Sequence, residues 1–359
     1  MHAERRQRLR ALLAEHDLAA LLVTDLVNVR YLTGFTGSAG QLLVTADPDA
    51  DRFVTDGRYA QQAAGQVADV ACLVNPGGDW LAAAVHGRLG LEAHAVSWQQ
   101  ARSVADRHVE TRPAPRLVEQ LRQVKDDVEV DRLRAACALA DDAFEQLVQW
   151  LRPGMTEQQV GRFLDRTMED AGADAPAFDT IVAFGANAAV PHHRPTGREL
   201  TPGDIVKVDF GARVDGYHSD MTRMLSVGAL PAPVAAAYDA VAAAQRAGVA
   251  AARDGTATGE VDAACRQVLD EAGLGQRFVH GTGHGVGLQI HEDPFLRPAR
   301  ARPEAGSGPS VTLRAGMTVT VEPGVYLPGV GGVRIEDTLL IAHDGPDVLT
   351  RTPKDLVVL

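Results

Sequence analysis

The spacing of apolar residues changes several times along the chain, and each change predicts an element. Leu9, Leu12 and Leu13 recur at helical intervals among charged residues, so 4–16 reads as an amphipathic helix. The run LAALLVT that follows suits a short buried strand, QLLVTA (41–46) suits another, and FVTDGRY (53–59) continues the pattern. From Tyr59 the sequence turns helical again in AQQAAGQVA. Strands alternating with helices predict an α/β domain. In TRPAPRLVEQLRQVKDD (111–127) two prolines precede a charged helical stretch, which marks a boundary between a domain over 1–120 and a second over 121–359.

The second region has a different rhythm. Residues 126–151 carry apolar side chains at i, i+3, i+4 and i+7, predicting a long amphipathic helix stopped by Pro153-Gly154. Another helix should start at Thr156, whose hydroxyl suits an N-cap, and end before Gly172. From residue 178 the period changes, and FDTIVAFG, DIVKVDFGARV and GYHSDMTRMLSV read as strands. An alanine-rich helix pair follows at 231–253 and 258–273, and strands return between 311 and 343. Helices, strands, helices and strands again make an α+β layout with a hint of internal duplication. ARPEAGSGPS (301–310) reads as an exposed loop.

Composition narrows the function classes. The chain has 359 residues, 45% of them hydrophobic, and a formal net charge of −12. That is the balance of a soluble globular protein, and the negative charge argues against nucleic acid as a partner. Basic residues are almost all arginine, with lysine only at 125, 207 and 354. Cys72, Cys137 and Cys265 are far apart and odd in number, so they read as buried small hydrophobes rather than as a disulfide or metal set. No stretch approaches the ~18 apolar residues of a membrane span, and the basic N-terminus has no signal-like cleavage pattern. A cytoplasmic location is expected.

Chemistry is carried by acids in strand-like sequence. Asp209 in VKVDFGA and Asp220 in YHSDMTR lie eleven residues apart, with Asp215-Gly216 between them as a turn signal. Glu322 in TVTVEPGVY and Glu336 in GGVRIEDTLL repeat that arrangement fourteen residues apart. Hairpins would bring each pair together, where the carboxylates repel unless a cation lies between them. His284, framed by four glycines in GTGHGVGLQIHEDP, completes a hard, oxygen-rich donor set. Such a set suits two divalent ions, Mn²⁺ before Co²⁺ or Zn²⁺, and two such ions support hydrolysis. Singly, each acid reads as a hydrogen-bonded structural residue; the conjunction is what points to a metal centre.

VDFGARVDGYHSDMTR, GTGHGVGLQIHEDP, VEPGVY and GGVRIEDT together resemble the pita-bread metallopeptidases, the family of methionine aminopeptidase, Xaa-Pro aminopeptidase and prolidase. NVRYLTGFTGSAG (28–40) and VTDGRYAQQA (54–63) look like the creatinase-like N-terminal domain of the proline-specific branch. The resemblance implies an α/β N-terminal creatinase-like domain plus an α+β C-terminal pita-bread domain. It implies that Asp209 chelates one metal, that Asp220 and Glu336 bridge both, and that His284 and Glu322 bind the other. His192 would contact substrate, His291 would stabilise the tetrahedral intermediate, Arg334 would orient the bridging carboxylates, and Glu322 would also transfer a proton. His193 and His218 read as structural.

The expected activity is that of an Xaa-Pro aminopeptidase, with an Xaa-Pro dipeptidase as the alternative. One departure favours the former: where many prolidases have an arginine after the HExP-type motif, this chain has Phe295, with arginines only at Arg297, Arg300 and Arg302. The connection around 297–312 is also longer than usual and reads as a solvated loop. The other reading, a non-catalytic binding protein on the same fold, requires lost ligands, and all five positions are filled. Partners are peptides with proline second. A homodimer is expected, with 31–38 as the segment contributing to the neighbour's site entrance.

Overall fold

The computed structural model describes residues 1–77, 80–107, 109–298 and 311–359. The chain divides into two compact units, Met1–Arg122 and Gln123–Leu359. The loop expected at 301–310, with Arg300 and Arg302, lies outside the described residues.

The N-terminal unit is a mixed six-stranded sheet with helices around it. Its strand order is Ala71–Val74, Arg52–Thr55, Gly40–Thr45, Ala20–Val23, Leu89–Leu91 and Thr111–Pro113. Ala20–Val23 lies in the interior of the sheet, pairing antiparallel with Gly40–Thr45 and parallel with Leu89–Leu91. All four of its residues are buried, as its unbroken apolar run requires. Helix His2–Glu15 buries Leu9 and Leu13. The division falls inside the predicted boundary segment 111–127, two residues past the expected position. Pro113 ends an edge strand, where a missing N–H is tolerated, Pro115 follows it, and helix Leu117–Arg122 still belongs to this unit. Cys72 departs from expectation. It lies exposed on the other edge strand, Ala71–Val74, whereas Cys137 and Cys265 are buried.

The C-terminal unit repeats one design twice. Helices Asp127–Trp150 and Glu157–Asp170 pack on a four-stranded sheet ordered Val357–Val358, Met221–Ser226, Ile205–Phe210 and Ile181–Phe184. Helices Ala232–Ala251 and Thr258–Glu271 pack beside strands Thr318–Val321 and Asp337–Ala342 of a five-stranded sheet. Capping explains where the first helices begin: Asp126 and Thr156 each accept from the backbone N–H three residues on, and Glu129 and Gln159 reciprocate. Each half has its own apolar core between helix pair and sheet. The facing surfaces of the strands are left for polar side chains. Among the described residues no helix is long and apolar enough to cross a membrane.

Candidate metal centre

Two strand pairs supply the acids. In Ile205–Phe210 against Met221–Ser226, Asp209 faces Thr222, and Asp220 lies just before the second strand. The excursion between the two acids is itself a small hairpin, Ala212–Val214 with Tyr217–His218, turning through Asp215 and Gly216 at positive φ of 45° and 78°. In the other half Val321 faces Asp337, so Glu322, one residue later, and Glu336, one residue earlier, leave the ladder side by side. A second hairpin, Gly324–Leu327 with Gly331–Arg334, closes above them. His284 comes from Gly283–Gly285, which pairs with Glu292–Leu296 and Thr318–Val321. The glycine before it is needed there: a Cβ on Gly283 would lie 2.0 Å from the Thr320 carbonyl oxygen.

Asp209, Asp220, His284, Glu322, Glu336, His192, His291 and Arg334 all line one cavity of about 550 Å³. His284 Nε2 lies 3.3 Å from Glu322 Oε1 and 3.5 Å from Asp220 Oδ2. Thr222 donates to Glu336 Oε2 at 2.7 Å, and Thr320 donates to Glu322 Oε1 at 3.4 Å. Arg334 pairs with Asp209 through Nη2, lies 3.9 Å from Glu322 through Nε, and donates to Thr222 Oγ1 at 3.1 Å. It therefore hydrogen-bonds Asp209 directly and Glu336 through Thr222, while its charge acts on both Asp220 and Glu336. Its backbone position explains this, because it faces Gly324 at the end of the hairpin, two residues short of Glu336.

The donor set fits divalent cations. Asp209 Oδ1 and Glu336 Oε1 are buried with no hydrogen-bond partner among the described residues. A buried, unpaired carboxylate oxygen is costly unless a cation takes it. Burial, together with neighbouring carboxylates, pushes Asp220 and Glu336 well above the usual carboxylate range. Burial would raise Glu322 as well, but the hydrogen bond and charge of His284 hold it at about 2. Asp220, His284 and Glu336 each offer a ligand atom within 4.8 Å of the others. Asp25, His94 and Glu119 form a second such grouping. There His94 Nε2 already sits 2.8 Å from Glu119 Oε1, and Asp25 caps a helix by accepting from Val27 N–H.

The sequence profile of metallopeptidase family M24 matches residues 131–343, and that of the creatinase/prolidase N-terminal domain matches 5–124. The chain belongs to metallopeptidase family M24. It is a metallopeptidase with the creatinase-type N-terminal domain and the pita-bread catalytic domain. It is 37% identical to the uncharacterized peptidase YqhT of Bacillus subtilis, covering 98% of this chain and 99% of that one. Among solved structures, the Xaa-Pro dipeptidase from Bacillus anthracis superposes with a TM-score of 0.94 at 36% identity, covering all of both chains. The X-Pro aminopeptidase from Thermotoga maritima superposes at 0.84 with 31% identity, covering 95% of this chain and 97% of that one.

Outside the acid cluster, this M24 metallopeptidase places the other singled-out residues as follows. His291 is exposed in the cavity wall, its ring centre 4.3 Å from that of His284. Partial burial and the neighbouring His284 lower its pKa to about 4. His193 sits with Nε2 2.9 Å from Glu157 Oε2, and His218 is buried with Nδ1 2.9 Å from the Gly287 carbonyl. Phe295 and Arg297 both line the cavity, the guanidinium 5.3 Å from the ring centre. Residues missed from the sequence include Thr222, Thr320, His280 and Tyr326. Period-2 spacing offered a signal for Thr320, which stands two residues before Glu322. The Tyr326 hydroxyl, bonded to His280 and Arg334, is brought in by the hairpin and has no comparable signal.

Proposed function

We propose that the protein is an Xaa-Pro dipeptidase, releasing an amino acid and free proline from two-residue substrates. The observation that carries this is Arg297. It lies two residues after Phe295, lines the same cavity as the acid cluster, and pairs with no carboxylate among the described residues. A guanidinium so placed suits the free carboxylate of a C-terminal proline. Phe295 therefore counts less against a dipeptidase than its identity suggests, because Arg297, one residue past the end of strand Glu292–Leu296, lies against the Phe295 ring in the same cavity wall. The similarity to a solved Xaa-Pro dipeptidase supports the same reading.

Asp209, Asp220, His284, Glu322 and Glu336 would hold two divalent ions, Mn²⁺ first. When bound, such a pair supplies an activated water and Lewis acidity. The chain's own side chains do the rest. Arg334 and Thr222 orient Asp209 and Glu336; Glu322 moves the proton between the water and the leaving nitrogen. That nitrogen belongs to a tertiary amide with no N–H of its own, so it must be protonated as it departs. His291 donates to the developing oxyanion, and His192 contacts the substrate. We include in this proposal a cytoplasmic homodimer.

The test is hydrolysis of Ala-Pro and Ala-Pro-Ala side by side by Mn²⁺-loaded protein, with products identified by mass. Free alanine and proline from Ala-Pro, with Ala-Pro-Ala intact, is the expected result. Release of alanine from Ala-Pro-Ala with Ala-Pro untouched would make it an aminopeptidase and remove Arg297 from the account.

A further inference from the structure

Two of the three lysines neutralise buried carboxylates: Lys125 Nζ lies 2.8 Å from Glu292 Oε1, and Lys354 Nζ lies 2.6 Å from Asp337 Oδ2. Lys207 has a different set of partners. It is fully buried and stands on the face of strand Ile205–Phe210 that also carries Asp209. Its ammonium donates to three backbone carbonyls, those of Ala188 at 3.2 Å, Val190 at 2.8 Å and Pro191 at 3.2 Å. All three N–H donors of the group are used on the four residues immediately preceding His192. Arg334 Nη1 adds a bond to the Pro191 carbonyl at 3.3 Å. The strand behind approaches closely: a Cβ on Gly332 would lie 2.2 Å from the Ala188 oxygen. His192 itself is exposed in the cavity wall, and its ring has no hydrogen-bond partner among the described residues. Only its backbone determines where the imidazole reaches.

We propose that Lys207 is a positioning residue for His192, holding the 188–191 backbone so that the imidazole meets substrate above the acid cluster. The inference rests on the reading of His192 as a substrate contact. An aliphatic side chain of similar length would take the lysine donor from the Ala188 and Val190 carbonyls, leave Pro191 with Arg334 Nη1 alone, and loosen that segment. A displacement of about 1 Å at a substrate contact is enough to cost up to about a hundredfold in rate.

The experiment is a double-mutant cycle of Lys207→Met and His192→Ala on the Mn²⁺-loaded protein, with Ala-Pro and Ala-Pro-Ala as substrates and metal content measured for every variant. Expected are a fall in kcat/KM of about tenfold or more for Lys207→Met alone, less than about twofold in the His192→Ala background, and unchanged metal content. An equal penalty in both backgrounds would overturn the proposal, since Lys207 would then act independently of His192. Loss of metal from Lys207→Met would also overturn it, because the lysine would then serve Asp209. Wild-type kinetics in His192→Ala would remove the substrate contact and the inference with it, without bearing on the dipeptidase assignment. If Lys207→Met does not fold, the cycle with Lys207→Gln, which keeps a donor, is read by the same criteria.

Discussion

In the N-terminal unit, Glu92 and Glu119 are buried among hydrogen-bond donors. Glu92 accepts from Thr24 N, Asp25 N and Asn28 Nδ2, while Glu119 accepts from Asn28 Nδ2 and pairs with His94. Arg122 closes the group by donating to Asn28 Oδ1. In the C-terminal unit, Asp209, Asp220, Glu322 and Glu336 face one another across a cavity with fewer donors and with two oxygens unpartnered. Glu119 Oε2 is the one oxygen of the N-terminal pair in that condition. Both regions bury converging acids, but Asn28 stands between Glu92 and Glu119 and donates to each, whereas the four acids of the cavity have no such shared donor among the described residues. Internal donors make the first a structural network; the second is strained until cations occupy it.

The largest expected effect separates the two at once. Asp220→Ala should lower kcat/KM on the order of a thousandfold or more and abolish metal retention, as read by turnover and metal analysis. The same change should raise the Tm of metal-free protein, because a carboxyl that burial and its neighbours hold well above its ordinary pKa costs stability at neutral pH. Next comes the opposite outcome in the other network: Asn28→Ala removes donors to both Glu92 and Glu119 and should destabilise the N-terminal unit by about 3 kcal/mol in denaturant titrations. Metal content should not change. If Asn28→Ala stabilised and metal-free Asp220→Ala destabilised, the contrast would be reversed.

A smaller effect sharpens the division of labour within the cavity. His291→Ala should cost about a hundredfold in kcat with metal content intact, since its role lies with the reacting oxygen. Equal loss of metal would make it a support for His284.

The smallest is a pH effect. Glu119 is held at about 2 by His94 and Asn28 against the burial that would raise it, compared with an ordinary 4.5. A depressed carboxyl stabilises the fold above its unfolded pKa and loses that contribution as pH falls through the folded value. The stability gap between wild type and Glu119→Gln, about 1–2 kcal/mol at neutral pH, should therefore be full at pH 6 and shrink between pH ~4.5 and ~2. A gap that grew on acidification would contradict the assignment.

Much of this was legible because local signals and tertiary demands agree. Period and capping residues located helices such as Glu157–Asp170, and Asp215-Gly216 announced its turn. Acids in otherwise apolar strands pointed to the cavity that Asp209, Asp220, Glu322 and Glu336 now line. What stayed hidden depends on contacts between distant segments. No pattern singles out the role of Lys207, because its partners lie 16 to 19 positions away, in and just after the short helix Gly185–Ala189. The direct pairing of Arg334 with Asp209 had no signal in the sequence, because it joins residues 125 positions apart. Cys72 reads as core because a lone cysteine is usually buried, yet strand order places it on an edge.

The most direct measurement is anomalous diffraction from crystals grown with Mn²⁺. The account predicts two peaks about 3.5–4 Å apart among Asp209, Asp220, His284, Glu322 and Glu336, with none at Asp25, His94 and Glu119. Manganese at the N-terminal grouping with the acid cluster unoccupied would contradict the claim that only the second network is built for cations.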